Sequence, residues 1–416
     1  MPHSPLLLQL AVILLTARLL SLVLRRLGQP PVVGEMTAGI VLGPIVLGAL
    51  FPEWHRFLFA KSSLPALEGL SQLGLVLFMF IVGAEIRSPS GAGHHVRSAV
   101  MVGVMSVFVP MLLGLCATFL LFDDFAPDGV RFLEFSLFMA SAISITAFPI
   151  MARILKERGL THSVIGRLSL ASAAVADVLA WIMLAIVMVM VDAGQDWTRL
   201  GRMMAGLIAL AALLLGLVKP LLARLIRTHT DDRRPEGATL ALLLVGAFGS
   251  AYATMALGVH PVFGAFLFGL SLPRDDQLLN ALIERLEHVA VLVLMPVSFA
   301  LAGLNTTSSA FVGTGLSALL LVLCVAVAGK LLGGAAGARI VGLPWRASFA
   351  VGSLMNARAL MELIVMKVGL DAGVIGPDMF TMLMVMAIVT TFMTGPLLGV
   401  FAGRDGHVPV DTSARP

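Results

Sequence analysis

Charge is scarce in this chain. Only 12% of its 416 residues are Asp, Glu, Lys or Arg, about half the share of an ordinary soluble protein. Hydrophobic residues make up 58%. That balance excludes a soluble globular domain, because apolar surface on this scale cannot be hidden inside a water-soluble fold. Cysteine is also scarce: Cys116 and Cys324 are the two present, and both lie in apolar stretches. They offer neither a disulfide framework nor metal-ligand spacing. No basic stretch interleaved with aromatics occurs, which argues against a nucleic-acid partner. No His-Glu-x-x-His helix and no Gly-x-Ser-x-Gly elbow occurs either, so hydrolytic chemistry has no starting point. His260 and His288 stand alone near the ends of apolar segments, as interfacial residues rather than metal ligands. Nothing in the chain predicts a cofactor.

What the chain has instead is apolar runs of about 20 residues or more, the length needed to cross a bilayer core. The pattern predicts an all-α membrane protein with thirteen spans. They fall near 5–25, 32–50, 64–86, 97–121, 131–157, 162–192, 199–226, 237–257, 260–272, 282–304, 308–339, 344–368 and 377–402. The first run has no basic n-region and no small-residue cleavage site, so it reads as a retained span rather than a signal peptide. No stretch between spans is long enough for a soluble domain, and the tail after the last span is short. The sequence therefore predicts one transmembrane domain without a regulatory appendage. Loops after odd-numbered spans, with the span ends beside them, hold eighteen Lys and Arg residues, and those after even-numbered spans hold six. Basic loops stay cytoplasmic, so the N-terminus is expected outside and the C-terminus inside.

The chain also matches itself. PVVGEMTAGI from Pro31 and PVFGAFLFGL from Pro261 share Pro, Val, Gly and Gly at the same four offsets. Each is followed by a span opening with Leu-Glu, at Leu67-Glu68 and Leu286-Glu287. Those spans end in Gly83-Ala84-Glu85 and Gly303-Leu304-Asn305, and Thr146-Ala147 falls opposite Asn356-Ala357. Spans two, three and five thus pair with nine, ten and twelve. Partners seven spans apart insert in opposite directions, which is the inverted repeat common in secondary transporters. The repeats would run over about 5–192 and 237–402, joined by span 199–226.

A few polar residues stand at membrane depth. Span five reads FMASAISITAFPIMARILKE; Pro149 removes a backbone donor and disfavours helix at Phe148. Ser141, Ser144 and Thr146 sit just before it, able to satisfy freed backbone groups. Span twelve carries Asn356, Arg358 and Glu362 at the matching place. Paired interruptions in an inverted repeat point to a binding site, since opened helix ends expose carbonyls and amides. Asp177 stands mid-way along span six. A carboxylate there is tolerated when protonated, paired or metal-bound, so it can hold a proton or a cation by turns. Arg358 and Glu362, four apart, can pair on one helix face. Arg358 would either offset the half-helix dipoles or pair with Asp177. Glu35 and Glu85, near span ends, are candidates for lining a cation path, although acids there often only reach water.

The segments VVGEMTAGIVLGP, GLVLFMFIVGAEI, SAISITAFPIMARIL, AAVADVLAW and NARALMELIV, in this order, resemble the monovalent cation:proton antiporters. The likeness is to the branch with bacterial potassium-efflux antiporters and plant cation/proton exchangers. It implies a thirteen-span fold with a core domain and a dimerisation domain formed by spans one, two, eight and nine. Two unwound helices would cross at Thr146 and Asn356, beside an ion-binding Asp177, with Arg358 as the charge-compensating residue. It also implies a homodimer in a bilayer, here expected in a bacterial inner membrane, exchanging K⁺ or Na⁺ for H⁺. The family usually has Asp, Asn or Gln before the aspartate, where this chain has Ala176. One acid carries one proton, so one-for-one electroneutral exchange is expected. The alternatives are a proton-coupled exporter of an organic ion, with room made by Ala176, and an ion sensor without turnover. None of the three is an enzyme.

Overall fold

A computed structural model of the chain describes residues 5–85, 93–161, 163–193, 197–228, 237–273, 284–358 and 360–402. Among the described residues the regular structure is entirely helical. Ten helices there are long and apolar enough to cross a membrane. They are α1 (Leu6–Arg26), α2 (Pro31–Leu42) with its continuation to Gly48, α4 (Leu64–Glu85), α5 (Gly93–Phe125), α8 (Val164–Ala193), α9 (Trp197–Leu213) continued by α10 (Lys219–Thr228), α11 (Gly237–Ala256), α13 (Glu284–Leu304), α14 (Gly315–Ile340) and α17 (Pro377–Ala402). Three further segments are shorter or broken: α6 (Phe132–Ser144) with α7 (Phe148–Glu157), α12 (Pro261–Leu270), and α15 (Trp345–Met355) with α16 (Leu360–Asp371). Together they are the thirteen segments expected.

The departures from the expected boundaries have local causes. Span two is not one smooth helix: α2 stops at Leu42, and a wide π turn over Pro44–Gly48 carries the chain on. Pro44 has no N–H for a regular helical bond. A short helix that periodicity does not predict, α3 (Pro52–Leu58), follows, with Pro52 in its first turn. Span eleven is shorter than expected, because a 3₁₀ turn over Ser308–Phe311 is set off from α14.

The chain divides into two compact units, one of residues 1–17, 38–88 and 185–304, the other of residues 18–37, 89–184 and 305–416. In the first, close helix packing is set by glycine. A Cβ on Gly83 would lie 2.3 Å from the Phe266 carbonyl oxygen, and one on Gly269 2.3 Å from that of Phe80. One on Gly303 would lie 1.8 Å from the Gly39 carbonyl oxygen. Backbones meet here with no room for a side chain, the small-residue packing by which membrane helices associate without a hydrophobic drive. Ser71 donates to Ser298 across α4 and α13 at 2.9 Å. The buried Gln9 amide donates to the Leu58 carbonyl at 2.5 Å and to Ser63 at 2.7 Å, tying α1 to the end of α3.

The second unit is built around α14. Its stretch GKLLGGAAG, Gly329 to Gly337, presents glycine every fourth residue to α5. A Cβ on Gly329, Gly333 or Gly337 would lie 2.5 to 2.7 Å from α5 backbone atoms at Pro110, Met105 and Val102. Gly334 meets Gly352 of α15 in the same way. The glycines draw three helices together and leave Lys330, beside Gly329, fully buried.

Candidate functional site

The two broken helices, α6–α7 and α15–α16, both belong to the second unit, and their breaks touch. Ile145 and Ala147 adopt extended backbone between α6 and α7. The Ala147 N–H donates to the Ala357 carbonyl at 3.0 Å, and the Thr146 hydroxyl donates to that of Met355 at 3.4 Å. Proline explains the first break, since α7 has Pro149 in its first turn. The second has no proline and is held from outside. The Asn356 amide donates to the Thr390 carbonyl at 3.1 Å, and the Arg358 N–H donates to the Thr391 hydroxyl at 3.1 Å. Two adjacent threonines of α17 thus take up donors that an unbroken helix would have used or left pointing outward.

Four buried ionisable side chains surround this crossing. Arg358 and Glu362 pair at 3.2 Å, both fully buried. The Arg358 guanidinium also donates to the carbonyls of Ile143 at 2.5 Å, Ala142 at 3.5 Å and Ala326 at 3.4 Å. The Lys330 ammonium donates to the Thr146 hydroxyl at 2.6 Å, to the Ser106 carbonyl at 3.0 Å, and to the Ser144 carbonyl. Ala142, Ile143 and Ser144 supply the last carbonyls of α6, so two cations sit at the negative end of that half-helix dipole. Asp177, on α8, is also buried. The amide of Phe148, at the positive end of α7, and the Lys330 charge both act on its carboxyl group. Among the described residues, neither of its oxygens completes a hydrogen bond. One Glu362 oxygen and the Asn356 side-chain oxygen Oδ1 are likewise without partners there.

The structure therefore gathers Thr146, Asn356, Arg358 and Glu362 at one place, with Asp177 against the start of α7. Ser144 contributes its backbone carbonyl, because its hydroxyl turns back to the Ser141 carbonyl at 2.8 Å. Arg358 lies against the carbonyl end of α6, and the cation that acts on Asp177 is Lys330. Sequence reasoning missed Lys330. The signal was available, since a lysine in the middle of an apolar run has no loop to account for it. Glu35 is buried on α2, where the charges acting on it are Arg18 and Arg153 rather than those of the crossing. Glu85 ends α4, and its side chain lies outside the described residues. Among the described residues no group of His, Cys, Asp or Glu forms a resident metal site. Cys116 and Cys324 are free and exposed.

Comparison with known proteins returns sodium/hydrogen exchangers and cation/proton antiporters. Residues 11–402 match the sodium/hydrogen exchanger, transmembrane, family. A Na(+)/H(+) antiporter of Synechocystis, NhaS4, is 36% identical over 389 residues, covering 93% of this chain and 94% of that protein. The K(+)/H(+) antiporter 1 of Saccharomyces cerevisiae is 36% identical over 407 residues, covering 95% of this chain. Cation/H(+) antiporter 17 of Arabidopsis thaliana is 35% identical over 396 residues, covering 94%. The chain spans about half the length of the yeast and plant relatives, 46% and 48% of them. In fold it resembles the sodium proton antiporter MjNhaP1 of Methanocaldococcus jannaschii, with a TM-score of 0.62 over 95% of this chain and 96% of that one, at 14% identity. The chain is an integral membrane protein and belongs to the sodium/hydrogen exchanger family.

Proposed function

We propose that this protein is a secondary antiporter, not an enzyme, that exchanges K⁺ or Na⁺ for H⁺ across the membrane. The observation that carries the reading is Asp177. It is a buried carboxylate whose oxygens complete no hydrogen bond among the described residues, at the N-terminus of a half-helix beside a crossing of broken helices. A buried acid without a permanent partner is stabilised by taking up a proton or a cation. Holding one excludes the other, and that competition couples the two fluxes. The relatives named as Na(+)/H(+) and K(+)/H(+) antiporters support the same reading.

In this reading Asp177 takes the transported ion, with Thr146, Asn356 and the Ser144 carbonyl as neighbouring oxygens. Arg358, Glu362 and Lys330 balance charge, and Glu35 lines the approach. With Ala176 before the aspartate, exchange is one cation for one proton and electroneutral. The glycine approaches of Gly39 to Gly303 and Gly83 to Gly269, at matching offsets, support an inverted repeat. Such a repeat places the site at mid-membrane and lets it open to each side in turn. The loop charges support an N-terminus outside and a C-terminus in the cytoplasm, the membrane being a bacterial inner membrane in this reading, and the family likeness supports a homodimer. The organic-ion exporter and the ion sensor have no observation of their own to favour them.

Proteoliposomes with a pH dye inside test the proposal. Addition of K⁺ or Na⁺ to protein-containing vesicles is expected to move protons, equally with and without an imposed voltage. Absence of cation-dependent proton movement overturns antiport, and a voltage-driven exchange current overturns electroneutrality.

A further inference from the structure

The second unit contains one further feature that the crossing does not use. A cleft of about 10 Å³, room for about one water molecule, is lined by Gln29 and Pro30 before α2, Ile154 and Arg158 of α7, and Thr391 and Gly395 of α17. Its polar wall is well anchored: the Gln29 amide donates to the Phe392 carbonyl at 3.3 Å. Its floor is also the support of the crossing. Thr391 accepts the Arg358 N–H at 3.1 Å, and its neighbour Thr390 accepts the Asn356 amide at 3.1 Å. The cleft thus lies behind the break between α15 and α16, separated from Asn356 and Arg358 by a single layer of threonine. At its edge, a Cβ on Gly395 would lie 3.3 Å from an Arg158 guanidinium nitrogen.

We infer that this cleft is a mouth of the ion path, in which Gly395 keeps the opening and Arg158 sets the barrier that a cation meets. The inference rests on the antiport reading and adds to it two positions that govern cation entry. A positive charge at the opening opposes an approaching cation. The missing side chain at position 395 leaves the opening clear beside the guanidinium. A larger group there fills the cleft or drives Arg158 out of it.

The test uses the full chain with Cys116→Ser and Cys324→Ser, carrying Gly395→Cys, in vesicles of both orientations exposed to a membrane-impermeant thiol reagent. Modification from one side, with exchange lost as for a plugged pore, supports the cleft as a mouth. A thiol that stays unmodified from both sides, or one modified with exchange unchanged, overturns it. If Gly395→Cys does not fold, Arg158→Gln decides. The variant is expected to lower the KM for the cation by roughly two- to fivefold, the effect of one charge in water-like surroundings, with kcat unchanged. Arg158→Lys is expected to keep the original KM. An unaltered KM in Arg158→Gln overturns the inference. Exchange by the unsubstituted protein is measured alongside, so failure of the antiport reading is seen separately.

Discussion

Lys330 on α14 and Thr146 in the break of α6–α7 lie 2.6 Å apart, nitrogen to hydroxyl oxygen, although 184 positions separate them in the chain. The same ammonium holds the carbonyls of Ser106 and Ser144. Lys330 is thus a fastening for the first broken helix as well as the positive charge nearest in effect to Asp177. Arg358 fastens the preceding two carbonyls of α6. The break is stable because cations replace the helical N–H groups that α6 lacks at its end.

Lys330→Met keeps much of the side-chain volume and removes the ammonium, leaving two carbonyls and a hydroxyl short of a donor. Each unmade buried hydrogen bond costs about 1–3 kcal/mol. A clear fall in thermal unfolding temperature in detergent is expected. An unchanged temperature would mean that the break does not depend on this residue.

Asp177→Asn is nearly isosteric and disturbs no completed hydrogen bond among the described residues. The variant is expected to fold with wild-type thermal stability and to show no cation-dependent proton flux. Retained flux in the dye assay would remove Asp177 from the ion path.

Arg358 and Glu362 are mutually dependent. Removing Arg358 strands a buried carboxylate and two α6 carbonyls, a loss of about 3–5 kcal/mol. Glu362→Gln leaves the arginine its carbonyl partners and is expected to do less harm. In a double-mutant cycle on thermal or denaturant stability, the pair Arg358→Met with Glu362→Gln should destabilise by less than the sum of the two single changes. Strict additivity would show that the pair is not coupled.

Glycine substitutions should separate by location. Gly303→Ala forces a methyl group into the Gly39 backbone, within 1.8 Å of its carbonyl oxygen, and is expected to prevent folding or sharply reduce yield. Gly69→Ala meets nothing within 4 Å in the middle of α4 and is expected to be neutral or to stabilise by up to about 1 kcal/mol. Expression and monodispersity of the two variants side by side check this.

Much of this architecture was legible in the chain because a bilayer is an unforgiving solvent. An apolar run long enough to cross without closing a barrel must be helical, so most of the thirteen segments follow from length and composition. The break at Ile145–Ala147 is also legible, since Pro149 denies a backbone donor wherever it stands. The short helix at Pro52–Leu58, the π turn after Gly43 and the isolated turn at Ser308–Phe311 were not, because local hydrogen bonding and packing decide them without changing hydropathy. Asp177 and the pair Arg358 and Glu362 announced themselves as charges in apolar surroundings. Lys330 carried the same signal amid a run of glycines, and its role was not readable, because its partners lie on α5 and α6.

Hydrophobic length, proline and isolated charge are properties of single positions and short windows. They were enough to determine that this chain crosses a membrane, roughly where it does so, and that it keeps an acid inside. Which cation faces that acid, which carbonyls are held open, and what supports a break that has no proline were settled only when α5, α6, α14 and α17 came together. These are contacts between residues scores of positions apart, and their strength comes from the exclusion of water, a condition that exists only once the helices have packed.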